Sequence, residues 1–295
     1  MYNFIGRRKI FYAISATVIL IGLISLAIRG LNLGIDFTSG VLLQLEFDDE
    51  VTVAELQEVL SSDEAVALGV TKFSVRVSGD RRTALVTVNS IPRSAETQLL
   101  DVMTDKVGAA QLLSSDKVDP VVGAELVRNA VISMLLAAVG ILVYLSFRFE
   151  PRFAASGVIA LIHDVLLVLT VFSVFQVEIN SPFIAGILTV VGYSINATIV
   201  IFDRIRENMT KLPAGNVEEL ANLSINQTLR RCVYTSLTTL FTAGALHLLG
   251  AASIRDLTLS FLVGVIAGTY SSICMASAIW VDWRKLSRRR ALANG

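Results

Sequence analysis

Residues 182–209, PFIAGILTVVGYSINATIVIFDRIRENM, decide how the rest of the chain is read. Positions 183–202 form an apolar stretch of about 20 residues, long enough to cross a bilayer as a helix. Tyr193, Ser194 and Asn196 interrupt it, and it runs unbroken into Asp203-Arg204-Ile205-Arg206-Glu207-Asn208. At roughly 1.5 Å of rise per residue, Asn196 lies about 10 Å from the charged end at Asp203. Polar side chains at membrane depth are costly and face protein or water rather than lipid. Two readings fit them. They are hydrogen-bonding glue between helices, or they are a functional polar site.

Composition agrees with a membrane chain. Of 295 residues, 54% are hydrophobic and 17% charged, below the roughly 25% charged content of a soluble domain. The formal net charge is zero, which argues against a nucleic-acid binder. Cys232 and Cys274 fall in apolar runs without ligand spacing, so neither a disulfide framework nor a zinc motif follows. They read as small buried apolar residues. No cofactor or metal is expected.

The first apolar run, residues 10–28, follows Arg7-Arg8-Lys9. A basic segment before an apolar core is also how a signal peptide begins. This core is about 18 residues long and no small-residue cleavage site follows it. It reads as an uncleaved membrane helix entering from the cytoplasm. Five further runs, roughly 129–147, 153–175, 182–202, 232–250 and 257–281, are each long enough to span. Arg148 and Arg152, then Arg204, Arg206 and Lys211, then Arg230 and Arg231, then Arg284, Lys285, Arg288, Arg289 and Arg290 all fall on the side of the N-terminus once six spans are drawn. The positive-inside rule puts both termini in the cytoplasm and residues 30–128 outside.

Residues 34–122 have a different pattern. Val41, Leu43, Leu45 and Phe47 alternate with Leu42, Gln44 and Glu46, Phe73, Val75 and Val77 alternate with Ser74, Arg76 and Ser78, and 83–88 forms a third strand. Thr52 and Glu55 have capping-box spacing and open a helix to about Leu60. Gly79-Asp80 turns the chain. Ser94 is placed to cap a helix carrying Leu99, Leu100, Met103 and Val107. A short strand near 118–122 closes a β-α-β-β-α-β order, the split ferredoxin-like arrangement. The fold class expected is therefore a polytopic α-helical membrane protein of six transmembrane helices, with a ferredoxin-like α+β extracytoplasmic domain between the first and second. Its divisions are 1–29, 30–128, 129–283 and a basic tail, 284–295.

Ionisable residues within the spans need an explanation. His163 and Asp164 lie near the middle of the third, with Asp164 about 16 Å from its cytoplasmic end. A carboxylate there costs at least about 2.5 kcal/mol unless it is neutral or partnered. Asp203 ends the fourth span. Arg230 and Arg231 open the fifth, where topology anchoring is the ordinary role of arginine.

Several blocks of this sequence resemble the SecF branch of the SecD/SecF export family, within the RND superfamily. They are Gly34-Ile35-Asp36-Phe37-Thr38-Ser39-Gly40, His163-Asp164, Gly192-Tyr193-Ser194-Ile195-Asn196, and residues 200–208 with Asp203, Arg204, Arg206 and Glu207. Asn226-Gln227-Thr228-Leu229 with Arg231, Thr235 and Ser236 adds a fifth-span block. The resemblance runs from about residue 3 to 283. It implies an RND-type half bundle completed by the six spans of SecD. It also implies a non-enzymatic, auxiliary role in proton-gradient-driven export of preproteins handled by the SecA motor and the SecYEG channel, in the bacterial inner membrane.

The sequence departs from the family pattern after Asn196. An aspartate of the family's proton path is replaced by Ala197, opposite the arginine matching Arg231. Three explanations are open: an engineered knock-out, a natural variant that leaves proton traffic to SecD, or Asp164 taking over as Arg231's partner. The proton-relay candidates are Asp164, Asn196, Ala197, Arg231 and Asp203. Ser39 stands where the family usually has glycine. Rival readings are an RND-type exporter half for small molecules or lipids, and a scaffold subunit without proton conduction. An intramembrane protease built on Gly192-Tyr193-Ser194 with His163 or His247 as base is a third.

Overall fold

In a computed structural model, which describes residues 2–79, 81–118, 120–211 and 216–293, six helices are long and apolar enough to cross a membrane. A 3-10 turn, Ile5–Arg7, leads into α1, Arg8–Arg29. A single turn, α2 (Ile35–Thr38), opens the lobe. It continues through β1 (Gly40–Phe47), α3 (Val53–Leu60), α4 (Asp63–Ala67), β2 (Phe73–Val77), β3 (Thr83–Val88), α5 (Arg93–Val107) and β4 (Ala110–Val118). The membrane helices that follow are α6 (Pro120–Arg148), α7 (Pro151–Phe175), α8 (Ser181–Lys211), α9 (Val217–Leu249) and α10 (Arg255–Ser271). A π-helical turn, Ser272–Ala276, joins α10 to α11, Ser277–Ala293.

The lobe is one sheet in the order β2-β3-β1-β4, antiparallel throughout. That is the strand order of the ferredoxin-like arrangement. Val41, Leu43, Leu45 and Phe47 of β1 point into its core with Leu56, Leu60, Leu99 and Met103. Burial of these alternate positions sets the register, because a one-residue slip would turn all of them to solvent. The capping box forms as expected, with the Thr52 hydroxyl accepting from the Glu55 N–H and the Glu55 carboxylate accepting from the Thr52 N–H.

Two expectations for the lobe fail. The last strand is Ala110–Val118, not 118–122, and the chain from Pro120 is already helical. The segment QLLSSDKV barely alternates and is mostly exposed. Backbone pairing with β1, not side-chain periodicity, makes it an edge strand. Ser94 does not cap α5, which starts one residue earlier at Arg93 on an extended Pro92. Asp80 of the expected turn lies outside the described residues.

In the bundle, α8 and α9 run past the apolar spans, to Lys211 and from Val217. The extension packs as a helical hairpin. Ile205 and Asn208 face Ala221, Ser224 and Ile225, all buried, and the Asn208 amide donates to Ser224 and to Gln227. The longest seam joins α8 to α10, and small residues let it close. A Cβ on Gly264 would overlap Val190, one on Gly268 would press on Ser194, and one on Gly186 would overlap Ser260. Small residues at such spacing allow backbones to approach in a bilayer, where no hydrophobic effect drives helices together. By contrast α1 and α6 bury little of their surface; Leu135, Leu136, Phe147 and Ile28 are exposed, as suits lipid contact.

Backbone hydrogen bonds tie the lobe to the bundle. The Gly34 N–H donates to the Ile179 carbonyl at 2.8 Å and the Ile179 N–H to the Asn32 carbonyl at 2.8 Å. Asp36 accepts from the Ser181 N–H at 2.6 Å, at the start of α8. Beyond them the chain turns sharply into β1 through Ser39, at φ 68°, and Gly40. At Gly40 a Cβ would overlap Ile35 and the Val88 carbonyl. A non-glycine residue in Ser39's conformation stores about 1–3 kcal/mol.

Two predictions follow from this packing. Ser39→Gly should raise the stability of the lobe by about 1 kcal/mol or more by releasing that strain, read as an upward shift of its unfolding midpoint. Gly264→Leu should part α8 from α10 at a cost of about 1–3 kcal/mol or more. Gly140→Ala, where nothing lies within 4 Å of the added Cβ, should be neutral. Thermal stability of the detergent-purified protein by size-exclusion chromatography distinguishes the two.

Candidate functional site

Asp164 sits at the meeting point of four helices and is 1% exposed. Its Oδ1 lies 3.0 Å from Nδ1 of His163, its neighbour on α7. Its Oδ2 accepts from Ser194 of α8 at 2.6 Å and from Ser271 of α10 at 2.8 Å. The other imidazole nitrogen, Nε2, lies 2.9 Å from the Ser15 hydroxyl on α1. Ser15 lies 3.1 Å from the Tyr270 hydroxyl, which donates to the Phe11 carbonyl at 2.8 Å. The Tyr270 ring also stacks on His163, with centroids 6.0 Å apart. An adjacent pair continues the polar seam, with Thr198 and Ser272 hydroxyls 2.9 Å apart.

Local helix geometry explains the convergence. Ser194 and Thr198 are four apart on α8 and share a face. Ser271 is the last α-helical residue before the π turn. A π turn inserts one extra residue per turn and re-aims the side chains on either side of it. Here it lets Ser271 reach Asp164 while Ser272 faces Thr198 and the Ser194 carbonyl. The arrangement gives one carboxyl group two hydroxyl donors and an imidazole, all out of contact with lipid. An imidazole flanked by a carboxyl on one nitrogen and a hydroxyl on the other can exchange a proton with either by changing tautomer.

The other candidates lie apart from this centre. Asn196 is exposed and Ala197 half-buried on α8; Arg231 is exposed on α9 and forms no ion pair with another described residue. Asp164 has not taken over as Arg231's partner, since its two oxygens are held by His163, Ser194 and Ser271. Asp203 lies 3.3 Å from Arg148 at the C-terminal end of α6. Arg204 donates to Gln227 and pairs with Glu207, which also holds Lys211; Arg206 is exposed. These motif residues build the α8–α9 hairpin. Gly34 and Asp36 join the lobe to the bundle, and Phe37 packs against the core cluster of Phe172 and Phe183. Gly192 is exposed, while Tyr193 sits edge-on to Phe261 and 3.5 Å from Ser236. Among the described residues no cluster of three or more His, Cys, Asp or Glu is placed to hold a metal ion.

Sequence reasoning passed over Ser15, Tyr270 and Ser271. The signal was there, since Tyr270-Ser271-Ser272 interrupts the last apolar run just as Tyr193-Ser194 interrupts the fourth. Among the described residues Ser194 forms no triad with His163 or with His247, whose ring bonds Thr258. The Ser194 hydroxyl donates to Asp164, and His163 contacts Ser15.

Residues 98–286 match the family described as protein export membrane protein SecD/SecF, C-terminal, and residues 24–51 match the SecD/SecF GG motif. The chain belongs to the SecD/SecF family. It is 39% identical over 293 residues to the protein translocase subunit SecF of Acidaminococcus fermentans, covering 98% of this chain and 99% of that one. It is 35% identical over 288 residues to the protein translocase subunit SecDF of Bacillus subtilis, covering 96% of this chain but 38% of the longer one. The crystal structure of SecDF from Thermus thermophilus superposes with a TM-score of 0.84 at 36% identity, covering 96% of this chain and 39% of that one. In SecDF chains, then, a SecF-like part is joined to a longer remainder. Within the segment matched to the GG motif, Ser39 holds a backbone angle that glycine adopts without strain.

The network makes a checkable demand. Asp164→Asn and Ser271→Ala should each destabilise the bundle by about 1–3 kcal/mol, the range for removing a buried hydrogen-bond partner. Their effects should be non-additive by more than about 0.5 kcal/mol, as for residues in contact. A thermal-melt double-mutant cycle in lipid nanodiscs measures both.

Proposed function

We propose that this chain is the SecF-type subunit of a protein-export translocase, acting beside a SecD-type half bundle to drive late steps of export with the proton gradient. In this reading it lies in the bacterial cytoplasmic membrane with both termini inside. Residues 1–29 carry the first span, 30–128 the outer lobe, 129–283 the five-helix bundle and 284–295 a basic cytoplasmic tail. The SecYEG channel and the SecA motor are its functional neighbours, preproteins its cargo. It is a coupling subunit and not an enzyme.

The observation that carries this is the open polar face. Thr189, Gly192 and Asn196 on α8 are exposed at helical spacing, as are Arg231, Thr235, Thr238 and Thr242 on α9. The two helices pack together. Lipid would leave Asn196 and the Arg231 guanidinium without partners, at a cost of several kcal/mol. A second half bundle would supply both polar partners and trapped water, and the SecDF relatives join a SecF-like part to a longer remainder in one chain. Ala197 cannot take up a proton, so within this chain Asp164 is the membrane carboxyl that supports a proton role. Every 100 mV of membrane potential is worth about 2.3 kcal/mol per charge crossing, enough to bias two packings of the bundle.

Vesicles containing this chain, a SecD-type partner, SecYEG and SecA test the reading. Completion of preprotein export should be accelerated by an imposed proton gradient and lose that acceleration with a protonophore. Asp164→Asn should reduce the gradient-dependent part by about fivefold or more, the lower end of typical coupling energies. If the gradient has no effect on the intact chain, the proton-driven reading fails. Ala197→Asp separates the two half bundles' shares. Unchanged export would mean that position 197 lies outside the proton path here.

A further inference from the structure

Arg76 stands on β2, an edge strand of the lobe, and reaches into the outer end of the bundle. Its Nη2 lies 2.6 Å from Glu178 and its Nη1 2.5 Å from Asp256. Both carboxylate side chains are nearly sealed, at 8% and 6% exposure. Asp256 also accepts from the Asn180 amide. One residue away, Arg255 donates to the Val77 carbonyl of the same strand at 2.6 Å. Burial alone would lower the Arg76 guanidinium's pKa, but the charges of Glu178 and Asp256 outweigh it and hold the pKa above its ordinary value.

The two acids belong to different parts of the bundle. Glu178 lies in the loop between α7 and α8, which is tied to the lobe by the backbone bonds of Gly34 and Ile179. Asp256 lies in the first turn of α10. The arginine fork therefore bridges a loop held to the lobe by backbone bonds and a helix held to it by side-chain bonds alone, those of Arg76 to Asp256 and of Arg255 to Val77. A guanidinium satisfies two carboxylates only in a fixed geometry, so the fork holds only while α10 keeps its position against that loop. The same α10 ends at Ser271, on Asp164. The intervening helix of about 15 residues is a rigid rod of roughly 22 Å.

We propose that Arg76 is the positioning residue that makes the docking of the lobe depend on the state of Asp164, through the placement of α10. A change of charge at Asp164 alters its bond to Ser271 and the fit of the π turn. α10 then shifts, Asp256 moves relative to Glu178, and the fork opens. The proposal extends the proton-coupled reading above by naming the route from the buried carboxyl to the lobe.

The test uses the chain with its SecD-type partner in liposomes. Cys232 and Cys274 are replaced by alanine, and spin labels are placed at exposed Glu58 on α3 and exposed Leu249 at the outer end of α9. With Arg76 present, the label-to-label distance distribution should be narrow, and Asp164→Asn should move or broaden it. With Arg76→Gln, or with Asp256→Asn should the first variant fold poorly, the distribution should already be broad, and adding Asp164→Asn should change it no further. Arg76→Lys, which keeps the charge but loses the fork, should also broaden it. A distribution that Arg76→Gln and Asp256→Asn leave narrow overturns the proposal. So does one that Asp164→Asn leaves unmoved while Arg76 is intact. The distance readout is independent of export, so failure here and failure of the translocase reading are told apart.

Discussion

The need of one buried carboxyl group for hydrogen-bond partners organises the membrane half of this protein. A carboxyl with no lipid-compatible state must be enclosed by protein, and each of its oxygens must be satisfied. Asp164 draws its partners from α7, α8 and α10, and through His163 from α1. No single helix pair would suffice. The site therefore fixes which faces of four helices look inward, and the apolar layers above and below follow from that. At the end of the bundle away from the lobe Phe153 stacks on Trp280 at 4.7 Å and packs on Phe202 at 4.9 Å. At the end beside the lobe Phe172 meets Phe183 at 4.4 Å.

Holding the polar centre demands close backbones, and close backbones demand missing side chains. Ser194 reaches Asp164 from a helix that Gly264 and Gly268 allow α10 to touch. On the other flank Gly22 of α1 abuts Thr170 of α7, bringing Ser15 within reach of His163. A seam of glycine and serine has little side-chain interlocking and can slide. The π turn at Ser272–Ala276 sits in that seam. π turns within α-helices are frequent at functional sites. The seam that satisfies Asp164 is thus also where the small residues and the π turn meet.

Much of this was legible in the chain because the solvent changes. Apolar runs of spanning length, basic loops on one side and the alternating strands of the lobe each follow from a single strong constraint. The structure bears out the six-span fold and the strand order for that reason. The failures occur where the constraint is weak. Edge strand β4 is held by backbone pairing, so its side chains carry no period, and the sequence offered the following residues just as readily. Ser94 looked like a cap, but Pro92 with its fixed φ begins the helix earlier. At the candidate site, Asp164 and His163 announced themselves by being ionisable. Ser15 and Ser271 did not, because hydroxyls in membrane helices ordinarily bond their own backbone, as Ser146 and Thr189 do here. Arg76, Glu178 and Asp256 are distant in sequence, and each alone reads as a solvated surface charge.

The exposed surface divides into two kinds, and the division constrains how the half bundle is completed. Faces of α1 and α6 are greasy and need only lipid. Those of α8 and α9 carry Asn196, Arg231 and a row of threonines. Thr238 and Thr242 hand their hydroxyls back to their own helix, to Tyr234 and to Thr238, so they tolerate a dry neighbour. Asn196 and Arg231 have no such refuge. A partner on this side must therefore do more than fill space: it must bring an acceptor to the guanidinium or admit water to it. Ala197, beside Asn196, offers no acceptor. Complementing this face is thus a matter of charge and hydrogen bonding as well as shape, which apolar packing alone does not supply.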